Sequence, residues 1–171
     1  MGSKAAAGLV LALTLPFWIP GAAGPAAAAD KGPAPPTAKA RLALAAAEAR
    51  KWQADAVLTY VTTDTANPDG TAPRWMYLYD SPKAKEQRTV IVGEEGDVDQ
   101  MPNFTAFKKP LGEFIDSDRA MAAAVAAGMK TVTYGMKMSL SVGAGAEWFM
   151  SDRDFSYTID GVTGKLLAKE Q

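Results

Sequence analysis

The stretch from Thr131 to Val142 alternates between apolar and polar side chains at every position. Its apolar members are Val132, Tyr134, Met136, Met138, Leu140 and Val142. Because successive side chains of a strand point to opposite faces, this pattern predicts a strand with one buried face and one solvated face. A strand of this kind is typical of an antiparallel sheet that is covered on one side only.

The Ala-rich segment before this strand is predicted to be the covering helix. Ile115 to Asp118 places a carboxylate or hydroxyl cap and extra negative charge at its start, and Gly128 is a natural stop. We expect Tyr134, Met138, Trp148 and Tyr157 to be buried beneath this helix, against Met121 and Val125. Further strands are predicted at 147–151 and 154–160, and Leu166 and Leu167 suit a short final strand.

The first half of the chain shows the same order of patterns. Thr37 follows a pair of prolines as a capping hydroxyl should, and the helix after it carries an Ala-rich stripe that ends on Trp52. Strands are predicted at 56–63, 74–80 and 87–92. The residues from Gly93 to Pro110 are predicted to form a long connection between the halves.

These patterns predict an α+β protein in which tandem helix-plus-three-strand units form one antiparallel sheet with the helices on one face. One shift along the chain carries Trp75 onto Trp148 and Ala47 onto Ala120, which favours two similar units. The predicted globular domain spans 37–171, with units at 37–93 and 115–171 joined by 94–114. A length of 171 residues with 48% hydrophobic residues suits such a domain.

The N-terminal residues 1–29 are predicted to be a signal peptide. Lys4 supplies the positive charge, Ala5 to Ile19 is an apolar run, and Ala27 to Ala29 provides small residues for cleavage. An uncleaved membrane anchor is disfavoured, because a spanning helix needs roughly 20 apolar residues. The mature protein is therefore expected to be periplasmic or secreted, without stable membrane insertion, and 30–36 to be a flexible lead-in.

The composition excludes most catalytic chemistries. The chain has no cysteine and no histidine, which removes thiol nucleophiles, disulfides, the commonest general base and nearly all zinc sites. A formal net charge of −1 does not favour nucleic acid as a partner. Asp152, Asp154 and Asp160, with Glu147, have a spacing that fits turns and outward strand positions better than a calcium loop. We predict no catalytic residue, no cofactor and no metal.

The segment 74–80 is apolar on both of its predicted faces. Trp75, Tyr77 and Tyr79 share one face, and Met76 and Leu78 share the other. Helices can cover only one face, so the other is expected to be a contact surface. Because Trp and Tyr dominate interfaces, Trp75, Tyr77 and Tyr79 are the candidate binding residues, with Met76 and Leu78 as the alternative.

The predicted function is a non-catalytic binding module that contacts a protein or peptide through the uncovered sheet face. The alternative is a carrier that holds a small apolar ligand between the helices and the sheet. A large internal cavity would favour the carrier, and an exposed sheet face would favour the binding module.

The second half resembles the PepSY family of small exported domains. The resemblance is carried by 115–120 at the start of the helix, Trp148 on a strand, and the closing segment 157–165, Tyr-Thr-Ile-Asp-Gly-Val-Thr-Gly-Lys. It implies an extracytoplasmic binding or regulatory module, with peptidase inhibition proposed for some members. Two such units in tandem also resemble the secreted β-lactamase-inhibitor proteins. The chain lacks the cysteines that those proteins use in disulfides, so their inhibitory role is not carried over.

Overall fold

The computed structural model of the chain describes residues 34–105, 108–131, 136–142 and 145–171. Within these residues the chain forms two helices and eight strands. In chain order they are α1 Ala38–Trp52, β1 Val57–Ala66, β2 Arg74–Ser81, β3 Glu86–Gly93, β4 Val98–Asn103, α2 Ser117–Ala126, β5 Met136–Val142, β6 Ala146–Ser151, β7 Ser156–Asp160 and β8 Leu166–Glu170. None of the helices in the described ranges is long and apolar enough to cross a membrane.

The eight strands form one antiparallel sheet in the order β4-β3-β2-β1-β5-β6-β7-β8. Each half of the sheet is a meander of strands that are consecutive in the chain. The halves meet where β1 pairs with β5, with Val61 opposite Leu140. The predicted antiparallel sheet with two helices is confirmed.

The main difference from the prediction is β4. Four strands follow each helix: β8 lies where Leu166 and Leu167 suggested a short final strand, whereas β4 lies inside the segment 93–110 that was predicted to be a connection. The sequence of β4 is polar and contains Pro102, which argues against a strand in the middle of a sheet. Because β4 is an edge strand, a proline is tolerated there. The predicted segment Thr131 to Val142 is described as a strand only from Met136, and residues 132–135 lie outside the described residues.

One face of the sheet forms the core with both helices. Cross-strand partners share a face, and a single row of partners crosses the whole sheet on this side. The row consists of Gln100, Val90, Tyr77, Val61, Leu140, Trp148, Ile159 and Leu166. α1 packs on β2 and β3, and α2 packs on β7. Ala45 and Ala49 of α1 are fully buried, so this helix lies close to the sheet.

The core of the second half agrees largely with the prediction. Met138, Trp148 and Tyr157 are at most 1% exposed, and so is Met121 of α2. Val125 was expected in the same contact but is 42% exposed, so that expectation was wrong. Tyr134 lies outside the described residues.

The end of the predicted lead-in is part of the packed structure. Pro36 is buried, and its carbonyl accepts hydrogen bonds from Ala72 N at 3.0 Å and Trp75 Nε1 at 2.9 Å. The chain therefore becomes fixed one residue before the expected boundary at Thr37. The predicted signal peptide, 1–29, and residues 30–33 of the lead-in lie outside the described residues.

Candidate functional site

The three predicted binding residues lie in the core. Trp75 and Tyr77 are fully buried, and Tyr79 is 3% exposed, on the face that the helices cover. Trp75 donates to Pro36 O, and the Tyr77 hydroxyl donates to Ala38 O at 2.6 Å. Two of these aromatic side chains thus fix the start of α1, and none of the three lies on an uncovered sheet face.

The N-termini of α1 and α2 meet at a junction built around Asp116. Its Oδ1 accepts from Ser117 N at 2.8 Å, the first amide of its own helix, and from Lys39 N at 2.9 Å in α1. Its Oδ2 accepts from the Thr37 hydroxyl at 2.6 Å, and Ser117 Oγ accepts from Ala38 N at 3.0 Å. Thr37 was predicted to cap α1, but its side chain bonds to Asp116 and makes no cap bond to its own helix.

Two tryptophans complete this junction. Trp75 in β2 and Trp148 in β6 meet edge to face, with ring centroids 6.3 Å apart. The Trp148 indole donates to Ile115 O at 3.0 Å, as the Trp75 indole does to Pro36 O. Each acceptor directly precedes the N-cap residue of a helix. Because these polar groups are paired with one another, the junction ties the starts of both helices to the sheet.

The opposite face of the sheet is the first candidate surface. A row of cross-strand partners crosses all eight strands on this side and mixes apolar and hydroxyl side chains. It consists of Asp99, Ile91, Met76, Thr62, Ser139, Phe149, Thr158 and Ala168. Both helices lie on the other side. On this face Phe149 is 37% exposed and Met101 is 47% exposed.

One end of this face is closed by the chain that follows β4. Asp80 Oδ2 accepts from Lys108 N at 3.0 Å, and the Lys108 ammonium lies 4.1 Å from the centre of the Tyr60 ring. Thr105 donates to Gln87 Oε1 at 3.0 Å. Leu78, at this end, is only 5% exposed. Of the alternative pair Met76 and Leu78, only Met76 is therefore part of the accessible surface.

A cleft between α1 and the sheet is the second candidate site. Leu42, Ala46 and Arg50 line it from α1, and Leu58 and Tyr79 line it from the sheet. Ala56, Leu111, Gly112 and Phe114 complete its walls. Its volume is about 250 Å³. The cleft lies in the helix–sheet gap that the carrier alternative requires.

The acidic residues near the C-terminus organise turns. Asp152 Oδ1 accepts from Asp154 N and Phe155 N, both at 2.8 Å, and its Oδ2 accepts from Lys130 N at 2.9 Å. These bonds stabilise the carboxylate, with the Lys130 amide contributing most, and lower the pKa of Asp152 to about 2. Asp160 accepts from Val162 N and Thr163 N. In the described part of the chain, no three acidic side chains come together as metal ligands would.

The fold and these surfaces define an α+β protein whose antiparallel sheet is covered by helices on one face and partly open on the other. No family model matches the chain, and comparisons with curated proteins and with solved structures gave no match. The resemblance to the PepSY family therefore stays a prediction.

Sequence reasoning missed the dual role of Asp116 and the cleft at Tyr79. The four-residue spacing of Leu42, Ala46 and Arg50 was a usable signal for the cleft, because it places all three on one side of α1. Nothing local to Asp116 points to Thr37 and Lys39, which lie far away in the sequence.

Proposed function

We propose that the chain is an exported, non-catalytic binding module that contacts a protein or peptide partner through the uncovered face of its sheet. The observation that carries this proposal is the row from Asp99 to Ala168, which crosses all eight strands on the side away from the helices. Met76, Ile91 and Phe149 supply apolar contact on this row. Ser139 and Thr158 supply hydrogen-bonding groups between them, and Thr62, whose hydroxyl donates to Met138 O at 2.9 Å, keeps its acceptor capacity, a mixture that suits a protein interface.

The shape of this surface favours a macromolecular partner. Small ligands bind in concave pockets that bury most of their surface, whereas a sheet face offers a broad contact. The absence of cysteine and histidine from the chain supports a non-catalytic role. A role in regulating peptidases is what the PepSY resemblance implies for such a module.

The proposal includes two related units, each a helix followed by strands. Its support is the repeated contact at the junction, where a tryptophan on the second strand after each helix donates to the carbonyl that precedes that helix. The shift that relates the tryptophans carries the end of α1 to within one residue of the end of α2, but it carries the start of α1 to a point six residues before the start of α2. Ala47 lies in the third turn of α1, whereas Ala120 lies in the first turn of α2. The units correspond at the junction and differ in helix length.

Export is the part of the proposal that mass spectrometry tests directly. The protein purified from its native host is expected to begin at or near Asp30, because Ala27 to Ala29 offers small side chains for cleavage. Recovery of a chain that still begins with Met1 from the membrane fraction would show that the segment is an anchor.

The binding surface is tested by a double variant, Met76→Ser with Phe149→Ser. The mature protein is immobilised and used to capture partners from extracts of the host's cell envelope, and bound proteins are quantified. We expect the double variant to capture at least about tenfold less of the specifically bound protein, because apolar residues at the centre of an interface contribute most of the binding energy.

The matched control is Val125→Ser with Val162→Ser. These residues are 42% and 58% exposed, on α2 and in the turn before β8, away from the uncovered face. The control pair should capture the same protein as the unmodified chain. Equal capture by both double variants, with unchanged thermal melting, would show that the partner contacts another surface.

A further inference from the structure

The hydroxyl group of Tyr79 is buried without a hydrogen-bond partner among the described residues. The side chain is 3% exposed, and it lines the cleft beside α1. Tyr77 lies on the same face of the same strand, and its hydroxyl donates to Ala38 O at 2.6 Å. Buried hydroxyl groups in folded proteins are almost always paired, so an unpaired one beside a cleft is a donor that a ligand in the cleft can satisfy.

The walls of the cleft set the size of what it holds. Leu42, Leu58 and Phe114 give it an apolar wall, and a hydrogen bond of 2.7 Å from Leu111 N to Leu58 O fixes its outer wall to the sheet. A volume of about 250 Å³ exceeds the roughly 150 Å³ apolar cavity that accepts benzene. It falls short of the roughly 300–1,000 Å³ typical of drug-sized ligands. A body of one or two fused rings, or a short alkyl chain, fits this space.

The charged and polar residues of the cleft indicate which polar group a ligand would carry. Arg50 lines the cleft and has no hydrogen bond or ion pair to any described residue, and no acidic side chain is among the lining residues. Burial raises the pKa of Tyr79, which keeps its hydroxyl protonated as a donor. A neutral donor beside a free guanidinium matches an anionic acceptor, above all a carboxylate.

We propose that this cleft binds a small amphipathic carboxylate, whose apolar body packs among Leu42, Leu58 and Phe114 and whose carboxylate accepts from Tyr79 and Arg50. The site is separate from the uncovered sheet face, because it lies on the helix side of the sheet. A test of ligand binding in this cleft is therefore independent of a test of partner binding at the uncovered sheet face.

The test uses 1-naphthoate as the probe and 1-naphthalenemethanol as its neutral counterpart, each titrated into the full mature protein by calorimetry. We expect saturable binding of 1-naphthoate, with the alcohol weaker by about tenfold because it lacks the charge that Arg50 attracts. Tyr79→Phe and Arg50→Gln should each weaken 1-naphthoate binding by about five- to tenfold, and Arg50→Gln should also remove the preference over the alcohol.

A filling variant locates the binding. Ala46→Leu adds a side chain inside the cleft and should abolish binding, whereas Ala47→Leu adds the same volume at an exposed position of α1 and should leave binding unchanged. Equal binding by Ala46→Leu, or no saturable binding up to about 1 mM probe, would overturn the proposal.

A second measurement does not depend on the probe. In the ligand-free protein, Tyr79→Phe removes an unpaired buried hydroxyl and should leave the melting temperature unchanged or raise it. Tyr77→Phe removes a paired hydroxyl and should lower it. If both variants lower the melting temperature equally, the Tyr79 hydroxyl already has a partner within the protein, which would overturn the proposal.

Discussion

Replacing Trp148 with alanine is expected to lower the free energy of unfolding by about 3–5 kcal/mol, the range for a large buried aromatic side chain. Trp148 is fully buried, and it meets the rings of Trp75 and Phe114 edge to face, each at 6.3 Å between centroids. Its indole also donates to Ile115 O. The substitution removes this packing and leaves a buried carbonyl unpaired, at the point where the two halves meet.

The next residue provides the control. Phe149 lies on the opposite face of β6 and is 37% exposed, so Phe149→Ala should cost less than half as much as Trp148→Ala. Chemical denaturation of both variants gives the two free energies. A similar loss for both would mean that the face assigned to the core of β6 is wrong.

Replacing Asp116 with alanine is expected to lower the free energy of unfolding by about 1–4 kcal/mol, because one substitution removes the N-terminal cap of two helices and each cap is worth roughly 0.5–2 kcal/mol. Asp116 accepts from Ser117 N in α2, from Lys39 N in α1 and from the Thr37 hydroxyl. Its loss leaves these donors unsatisfied at the junction. Denaturant titration followed by circular dichroism measures the change.

Asp118→Ala is the matched control for this prediction. Asp118 is an exposed carboxylate in the first turn of α2, and its Oδ1 accepts from the neighbouring Arg119 N at 2.7 Å. Its removal should cost only about 0.3–1 kcal/mol, the contribution of a charge near a helix N-terminus. Equal losses of unfolding free energy for Asp116→Ala and Asp118→Ala would show that Asp116 does not cap both helices.

The strands with clear alternation could be predicted from the sequence, because burial of one face leaves a period of two in the chain. β7 is an example, with Tyr157 and Ile159 buried between more exposed neighbours. β4 could not, because an edge strand has little buried surface and therefore keeps no clear apolar pattern. Pro102 made this strand resemble a loop still further.

The orientation of β2 could not be decided from its own residues. Both of its faces are apolar, and the choice depends on groups elsewhere in the chain. Pro36 O and Ala38 O accept from Trp75 and Tyr77, and those two carbonyls fix which face turns toward α1. The face of β2 that turns toward α1 carries Trp75, Tyr77 and Tyr79, so these predicted binding residues lie in the core. Met76, on the other face, is partly accessible.

The pairing of β1 with β5 has a consequence for how the chain folds. Every other neighbouring pair of strands is joined by a short connection, whereas this pair closes a loop that includes β2, β3, β4 and α2. Pairings between strands that are distant in the sequence form late, because closing the loop costs conformational entropy before the new contacts stabilise the chain. Until β1 and β5 pair, each of these strands has unpaired backbone hydrogen-bonding groups along one edge. The corresponding strand of a second molecule can pair with those groups in the same way. Exchange of halves at this seam would preserve the pairing of β1 with β5 in a dimer. A dimer formed in this way would survive dilution and would separate only when the protein unfolds.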